Sequence, residues 1–130
     1  MKAEELRIGN IIDMGIEGIG QVSGYNLYQK SIHDNGGDVA DYYRQWKPIP
    51  ITEEWLRRFG FGKSARPNCN DIYKDLTARM VLWFNDGNYA EMDLIQDEKR
   101  ISFKHSHIKH VHQLQNLYFA LTGEELILIQ

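Results

Sequence analysis

A run near the C-terminus constrains the fold more than any other part of the chain. It reads Val111-His112-Gln113-Leu114-Gln115-Asn116-Leu117-Tyr118-Phe119-Ala120-Leu121-Thr122-Gly123. Val111, Leu114, Leu117, Tyr118 and Leu121 recur at steps of three and four, so on a helix they share one face. Gln113, Asn116 and Thr122 fall off that stripe. Gly123 follows the last periodic residue, where a left-handed backbone ends a helix at least cost to glycine. Leu126-Ile127-Leu128-Ile129 come next and are too apolar to hang in water. This tail is expected to return to a sheet or to pack against another subunit.

The first half reads differently. Residues 6 to 14 suggest a strand, with Leu6, Ile8, Ile11 and Ile12 apolar. Gly15, Gly18, Gly20 and Gly24 punctuate the chain after it, and Ile19 to Val22 suggests a second strand. Tyr25 to Ile32 suggests a third. Asp34-Asn35-Gly36-Gly37-Asp38 is a strong turn signal. Val39 to Trp46 alternates and is rich in aromatics, as a fourth strand would be. Pro48 and Pro50 then stop the strand. Thr52 is placed to cap a short helix that carries Glu53 and Glu54 in its first turn and Trp55, Leu56 and Phe59 on one face.

Beyond a polar loop at 63 to 70, Arg79 to Phe84 and Tyr89 to Ile95 flank Asn85-Asp86-Gly87-Asn88. Asp-Gly favours a two-residue hairpin turn. With Asp86 and Gly87 at the tip, Phe84 pairs with Tyr89, Leu82 with Glu91 and Met80 with Asp93. Arg100 to Lys104 follows as a further strand. The expected fold is therefore α+β: a small, bent antiparallel sheet or barrel with one short middle helix and one C-terminal helix. The Pro48–Pro50 connection is too short for a flexible linker, so one domain spanning 1–130 is expected.

Composition excludes several function classes. The chain has 130 residues, enough for one core, and a net charge of −3, which argues against sequence-independent binding of duplex nucleic acid. No stretch suits a membrane span, and Met1–Glu5 lacks an apolar signal core. The single cysteine, Cys69, allows no internal disulfide and suits a reducing cytoplasm.

Few groupings suggest chemistry. Lys104-His105-Ser106-His107-Ile108-Lys109-His110-Val111-His112 concentrates imidazoles, which ligate transition metals, and alternate residues of a strand converge on one side. Yet no HExxH or cysteine pair completes a site, and Lys104 and Lys109 would repel a dication. A solvated junction explains the cluster more simply, so no metal or cofactor is expected. Glu91 and Asp93 share a strand face and could serve metal-assisted or acid–base hydrolysis, although such pairs more often face solvent. Gly15-Ile16-Glu17-Gly18-Ile19-Gly20 lacks the Lys-Ser/Thr ending of a phosphate loop and reads as a turn. Cys69 has no assigned base. No residue is assigned a catalytic role.

The most suggestive stripe is Tyr42, Arg44 and Trp46. On a strand, alternation would put all three on one face. Rings stack on bases, and a guanidinium can fork to a phosphate. Tyr25, Tyr28 and Lys30, on the preceding strand, would line the same pocket for a small nucleotide-like ligand. The plainer alternative buries Trp46 and one tyrosine and lets Arg44 reach water. An exposed stripe would instead suit a protein interface.

Three segments carry a resemblance. They are Leu6-Arg7-Ile8-Gly9-Asn10; Pro48-Ile49-Pro50-Ile51-Thr52-Glu53-Glu54-Trp55-Leu56 through Phe59-Gly60-Phe61; and the C-terminal run to Leu126. In order and wording the chain resembles a family of small, uncharacterised proteins of Bacteroidetes, their prophages and their phages, over about a quarter of its length. The resemblance implies a phage or mobile-element setting and no reaction. His110 stands where that family has an aromatic residue, so no role is carried to it.

Together these readings favour a non-enzymatic binding protein in the host cytoplasm. Its most concrete form is a counter-defence sponge that holds a nucleotide-derived immune signal, expected as a homo-oligomer with pockets at subunit boundaries. One alternative is an interaction module that targets a host or virion protein. The other is a phosphoester hydrolase that uses the histidines or a metal.

Overall fold

A computed structural model describes residues 1–39, 41–63, 71–77, 80–85, 89–96, 99–105 and 107–129. The fold is α+β, with two antiparallel sheets and a helix near the C-terminus. The chain gathers into two compact units: Met1–Pro50 with His110–Asn116, and Ile51–Lys109 with Leu117–Gln130. They interleave in sequence, so neither is one linear stretch. Among the described residues, no helix is long and apolar enough to cross a membrane.

In the first unit, β1 (Ile11–Asp13) and β2 (Ile19–Gln21) form a short antiparallel pair joined through Gly15–Glu17. The strand expected over 6–14 is shorter because Leu6–Asn10 closes on itself: the Asn10 carboxamide oxygen accepts the Arg7 N–H at 2.7 Å. A larger correction falls at 25–32, which is helical. Helix α1 runs Gly24–Asp34. A capping box starts it, the Ser23 hydroxyl accepting Asn26 N–H at 3.1 Å and the Asn26 side chain accepting Ser23 N–H at 2.7 Å. The aromatic content of Tyr25 and Tyr28 suggests a strand, but the local cap favours a helix. The glycine-rich turn signal at 34–38 marks the end of that helix. Gly37 N–H closes on the Ile32 carbonyl at 2.8 Å, and a β-carbon at Gly37 would strike the Ile32 side chain.

The segment expected as a strand over 39–46 is also corrected. Asp41–Gln45 is a 3-10 turn. Its three-residue period sets Tyr43 and Trp46 on the inner side together, 5.4 Å apart and edge to face. Leu6, Ile12, Met14, Val22, Tyr43 and Trp46 form the buried cluster, with Leu27, Val39 and Tyr42 packed against it. Each large side chain buried in this way contributes about 1.5–3 kcal/mol.

In the second unit, α2 (Glu53–Arg58) begins where expected, Thr52 Oγ1 accepting the Trp55 N–H at 3.3 Å. Leu56 and Phe59 are fully buried, and Trp55 stacks on Phe59 while Arg58 lies over the Trp55 ring at 4.4 Å. The larger sheet is an open meander of β3 (Gly62–Lys63), β4 (Ile72–Thr77), β5 (Met80–Asn85), β6 (Tyr89–Gln96) and β7 (Lys99–His105), and it does not close into a barrel.

The β5–β6 register differs by one from the two-residue turn. Asn85 pairs with Tyr89, Leu82 with Met92 and Val81 with Asp93, leaving three residues between the last pair. A one-residue slip exchanges the faces. The observed register keeps Leu82, Phe84 and Met92 on one face, whereas the two-residue turn would set Leu82 against Glu91.

Helix α3 runs Val111–Thr122, and Gly123 takes φ 74°, the left-handed stop its position suggests. Val111 and Leu114 of the expected stripe are fully buried. The apolar tail returns within its own chain, Ile129 N–H meeting the Arg58 carbonyl at 2.6 Å, with Leu126 buried and Ile127 exposed.

Candidate functional site: an exposed aromatic face on α1

The six residues expected to line a nucleotide pocket do not share a surface. Trp46 is buried and Tyr42 half-buried, its ring 4.1 Å from that of Tyr43. Arg44 is 67% exposed and pairs with Asp41 at 3.3 Å. The strand premise placed these three on one face, and the 3-10 turn removes it. Lys30 is buried on α1 and donates to Asp34, whose other oxygen accepts the Ala3 N–H at 2.7 Å. Burial pushes the Asp34 carboxyl up, but hydrogen bonds from Lys30 and Ala3 and the Lys30 charge together hold it below the ordinary carboxylate range. A cleft of about 280 Å³ in this unit is lined by Lys2, Ala3, Glu4, Ser31, Asp34 and Asn35, and so includes none of the six.

Tyr25 and Tyr28 behave differently. They stand one helical turn apart on α1, 74% and 64% exposed. Ile8, 62% exposed, lies against the start of the same helix, where a β-carbon on Gly24 would sit 3.5 Å from its Cδ1. The inner side of α1 meanwhile carries Leu27 into the core and the Lys30–Asp34 pair. The helix thus presents two rings and a branched aliphatic to water with no charge among them. That arrangement can bind an apolar or aromatic surface; it offers no nucleophile, acid or base.

The hydrolytic groupings are resolved in part. Asp93 is buried, accepting the Ser102 hydroxyl at 2.6 Å and facing Arg100 at 3.5 Å, so its carboxylate is engaged within the sheet. The Glu91 and His105 side chains, Ser106 and the loop with Cys69 lie outside the described residues. His107 is exposed, His110 half-buried and His112 buried. Among the described residues, no three His, Cys, Asp or Glu side chains are grouped to hold a metal.

His112 stacks on His110 at 6.0 Å, and its Nδ1 has no hydrogen-bond partner. Burial, then the neighbouring His110, pushes its pKa below the ordinary value of 6.5, against a smaller opposing pull from Glu5. The unfolded chain takes up this proton near the ordinary value, while the folded chain resists it. Stability is therefore unaffected well above pH 6.5, falls as pH drops below it, and levels off beneath the folded-state value. The contribution reaches at most about 1.4 kcal/mol per pH unit. Urea unfolding between pH 7.5 and 5 is expected to follow this slope, and His112→Gln to flatten it. An unchanged slope would remove the assignment.

Sequence reasoning missed a polar clamp in the first unit. The Gln115 side chain, buried on α3, accepts the Ile11 N–H at 2.8 Å and donates to the Gly9 carbonyl at 3.2 Å. Asn116 Oδ1 accepts both Asn10 Nδ2 at 2.9 Å and Arg7 Nε at 3.0 Å, and its amide donates to the Glu5 carbonyl at 3.2 Å. Val111 N–H meets the Ile49 carbonyl at 2.8 Å, and Pro50 bridges His110. Parts of all three segments behind the family resemblance meet here, and their work is structural. The available signal was two adjacent carboxamides among the apolar positions of α3.

Comparison with protein-family models, curated proteins and solved structures finds no match to this chain.

Proposed function

We propose that the protein is a non-enzymatic binding protein that occupies a partner protein through the α1 face of Ile8, Tyr25 and Tyr28. One observation carries the reading: two tyrosines a helical turn apart, both largely exposed, beside an exposed isoleucine. Tyrosine is over-represented among residues that dominate interface energies, because a rigid ring adds contact area at low entropic cost and its hydroxyl still bonds to water or a partner. Isolated exposed hydrophobics need no explanation, but three in adjacent positions suit an interface. A host or virion protein is the partner class that the phage-type resemblance suggests, met in the host cytoplasm.

The test separates this reading from ligand sequestration. Tyr25→Ala and Tyr28→Ala are expected to change unfolding free energy by no more than about 0.5 kcal/mol each. Each is expected to weaken partner binding tenfold or more. A panel of cyclic and linear nucleotides should leave the melting temperature unchanged. A ligand-specific rise, with the compound recovered intact and the rise lost in Arg44→Ala, would overturn the proposal in favour of a nucleotide sponge.

A further inference from the structure

An open groove of about 440 Å³ in the second unit is lined by Glu53, Glu54, Arg57 and Arg58 of α2 and by Ile129 of the tail. The four charged residues are exposed, and Ile129 is 61% exposed. α2 carries its carboxylates in the first turn and its guanidiniums in the last, each where the helix dipole favours that sign. The helix is therefore balanced in charge but split along its axis.

The two pairs spaced four apart on this helix differ. Glu53 and Arg57 close on each other at 2.9 Å, and Lys63 adds a second cation to Glu53 at 3.7 Å. Glu54 and Arg58 have the same spacing and the same favourable order, yet they do not meet. Arg58 lies over the Trp55 ring instead, and among the described residues neither Glu54 nor Arg58 enters an ion pair. One helix face thus leaves a carboxylate and a guanidinium open, one turn apart. Beside them exposure alternates along the tail: Leu126 is buried, Ile127 exposed, Leu128 half-buried and Ile129 exposed.

We propose that this face is an isologous contact between two copies of the chain. The two α2 helices lie antiparallel across a two-fold axis, Glu54 of each copy faces Arg58 of the other, and Ile129 of both is covered. The occupant follows from charge complementarity. A partner of one sign would attract one of the open charges and repel the other, and an apolar partner would strand both. A second copy, turned about the level of Leu56, satisfies both at once because residues 54 and 58 lie equally far from that level. A six-residue helix covers little of the roughly 800 Å² per partner that a standard interface buries, so the dimer is expected to be weak, with a dissociation constant on the order of 10–100 μM. This surface belongs to the second unit and does not depend on the reading of the α1 face.

Sedimentation velocity on the intact protein, from about 1 μM to about 1 mM, is expected to show a monomer–dimer equilibrium that weakens about threefold or more in high salt. Glu54→Arg and Arg58→Glu each oppose like charges in both halves of the contact, so each is expected to raise the dissociation constant about tenfold or more. Mixing the two variants restores opposite charges in both halves, and the mixture is expected to dimerise about as well as the wild type. If either charge variant fails to fold, Ile129→Asp, on the exposed tail, is expected to raise the constant about tenfold by burying an unpaired carboxylate. A protein that stays monomeric over the whole range, charge variants that dimerise as the wild type does, variants that remain monomeric when mixed, or an Ile129→Asp dimer of undiminished strength would each overturn the proposal.

Discussion

Gln115→Leu is expected to lower the unfolding free energy by about 1.5–4.5 kcal/mol, a large fraction of what holds a small domain together. Leucine has similar bulk, so the loss comes from hydrogen bonding. The Gln115 carboxamide is buried and satisfies the Ile11 N–H and the Gly9 carbonyl, two backbone groups over a hundred residues away in sequence. Leaving the buried Ile11 N–H unpaired costs about 1–3 kcal/mol, and losing the bond to the half-buried Gly9 carbonyl adds about 0.5–1.5 kcal/mol. Gln21→Ala, on an exposed position of β2, should stay within about 0.5 kcal/mol. Denaturant melts of the three proteins decide the matter; a Gln115→Leu protein as stable as wild type would show that the clamp contributes nothing.

Phe59→Ala is expected to cost about 3–5 kcal/mol. The ring is fully buried at the end of α2, stacked at 6.0 Å on Trp55. Truncation removes the transfer energy of the ring and leaves a cavity that the stacked Trp55 can only partly fill. Arg57→Ala, two residues away on the exposed side and paired with Glu53 at 2.9 Å, should cost no more than about 1 kcal/mol, because solvent screens that pair. Equal losses for the two variants in a thermal melt would contradict the burial assigned to Phe59.

These two residues also mark what was readable from the chain. Phe59 was legible: Thr52 caps, the glutamates sit in the first turn, and Trp55, Leu56 and Phe59 recur at helical spacing. The C-terminal helix was legible for the same reason, down to Gly123. Local signals sufficed because one face of each helix is apolar.

Gln115 was not legible as a structural residue. Its role depends on Gly9 and Ile11 lying close in space, which no local pattern encodes. At 25–32 and 39–46, aromatic content suggested strands. The capping box of Ser23 and Asn26 and the inward pull on Tyr43 and Trp46 set helical geometry instead. The candidate pocket failed with that geometry, since a two-residue period aligned Tyr42, Arg44 and Trp46 and a three-residue period separates them. Tyr25 and Tyr28 are exposed as a binding role requires, but on the outer side of a helix. The hairpin erred by one residue because Asp-Gly favours a two-residue tip, whereas the observed pairing sets the apolar Met92 and Leu94 of β6, rather than Glu91 and Asp93, beside Leu82 and Met80.

The central claim is that the outer face of α1 is where this protein meets a partner polypeptide. The most direct measurement replaces Tyr28, and separately the exposed Glu17 of the β1–β2 turn, with a photo-crosslinking amino acid in the cell that naturally makes the protein. Mass spectrometry then identifies what is captured. The account predicts one discrete polypeptide joined at position 28, absent at position 17 and lost when Tyr25→Ala is added. A nucleotide-sized adduct at position 28, no adduct there, or the same products at both positions would contradict it.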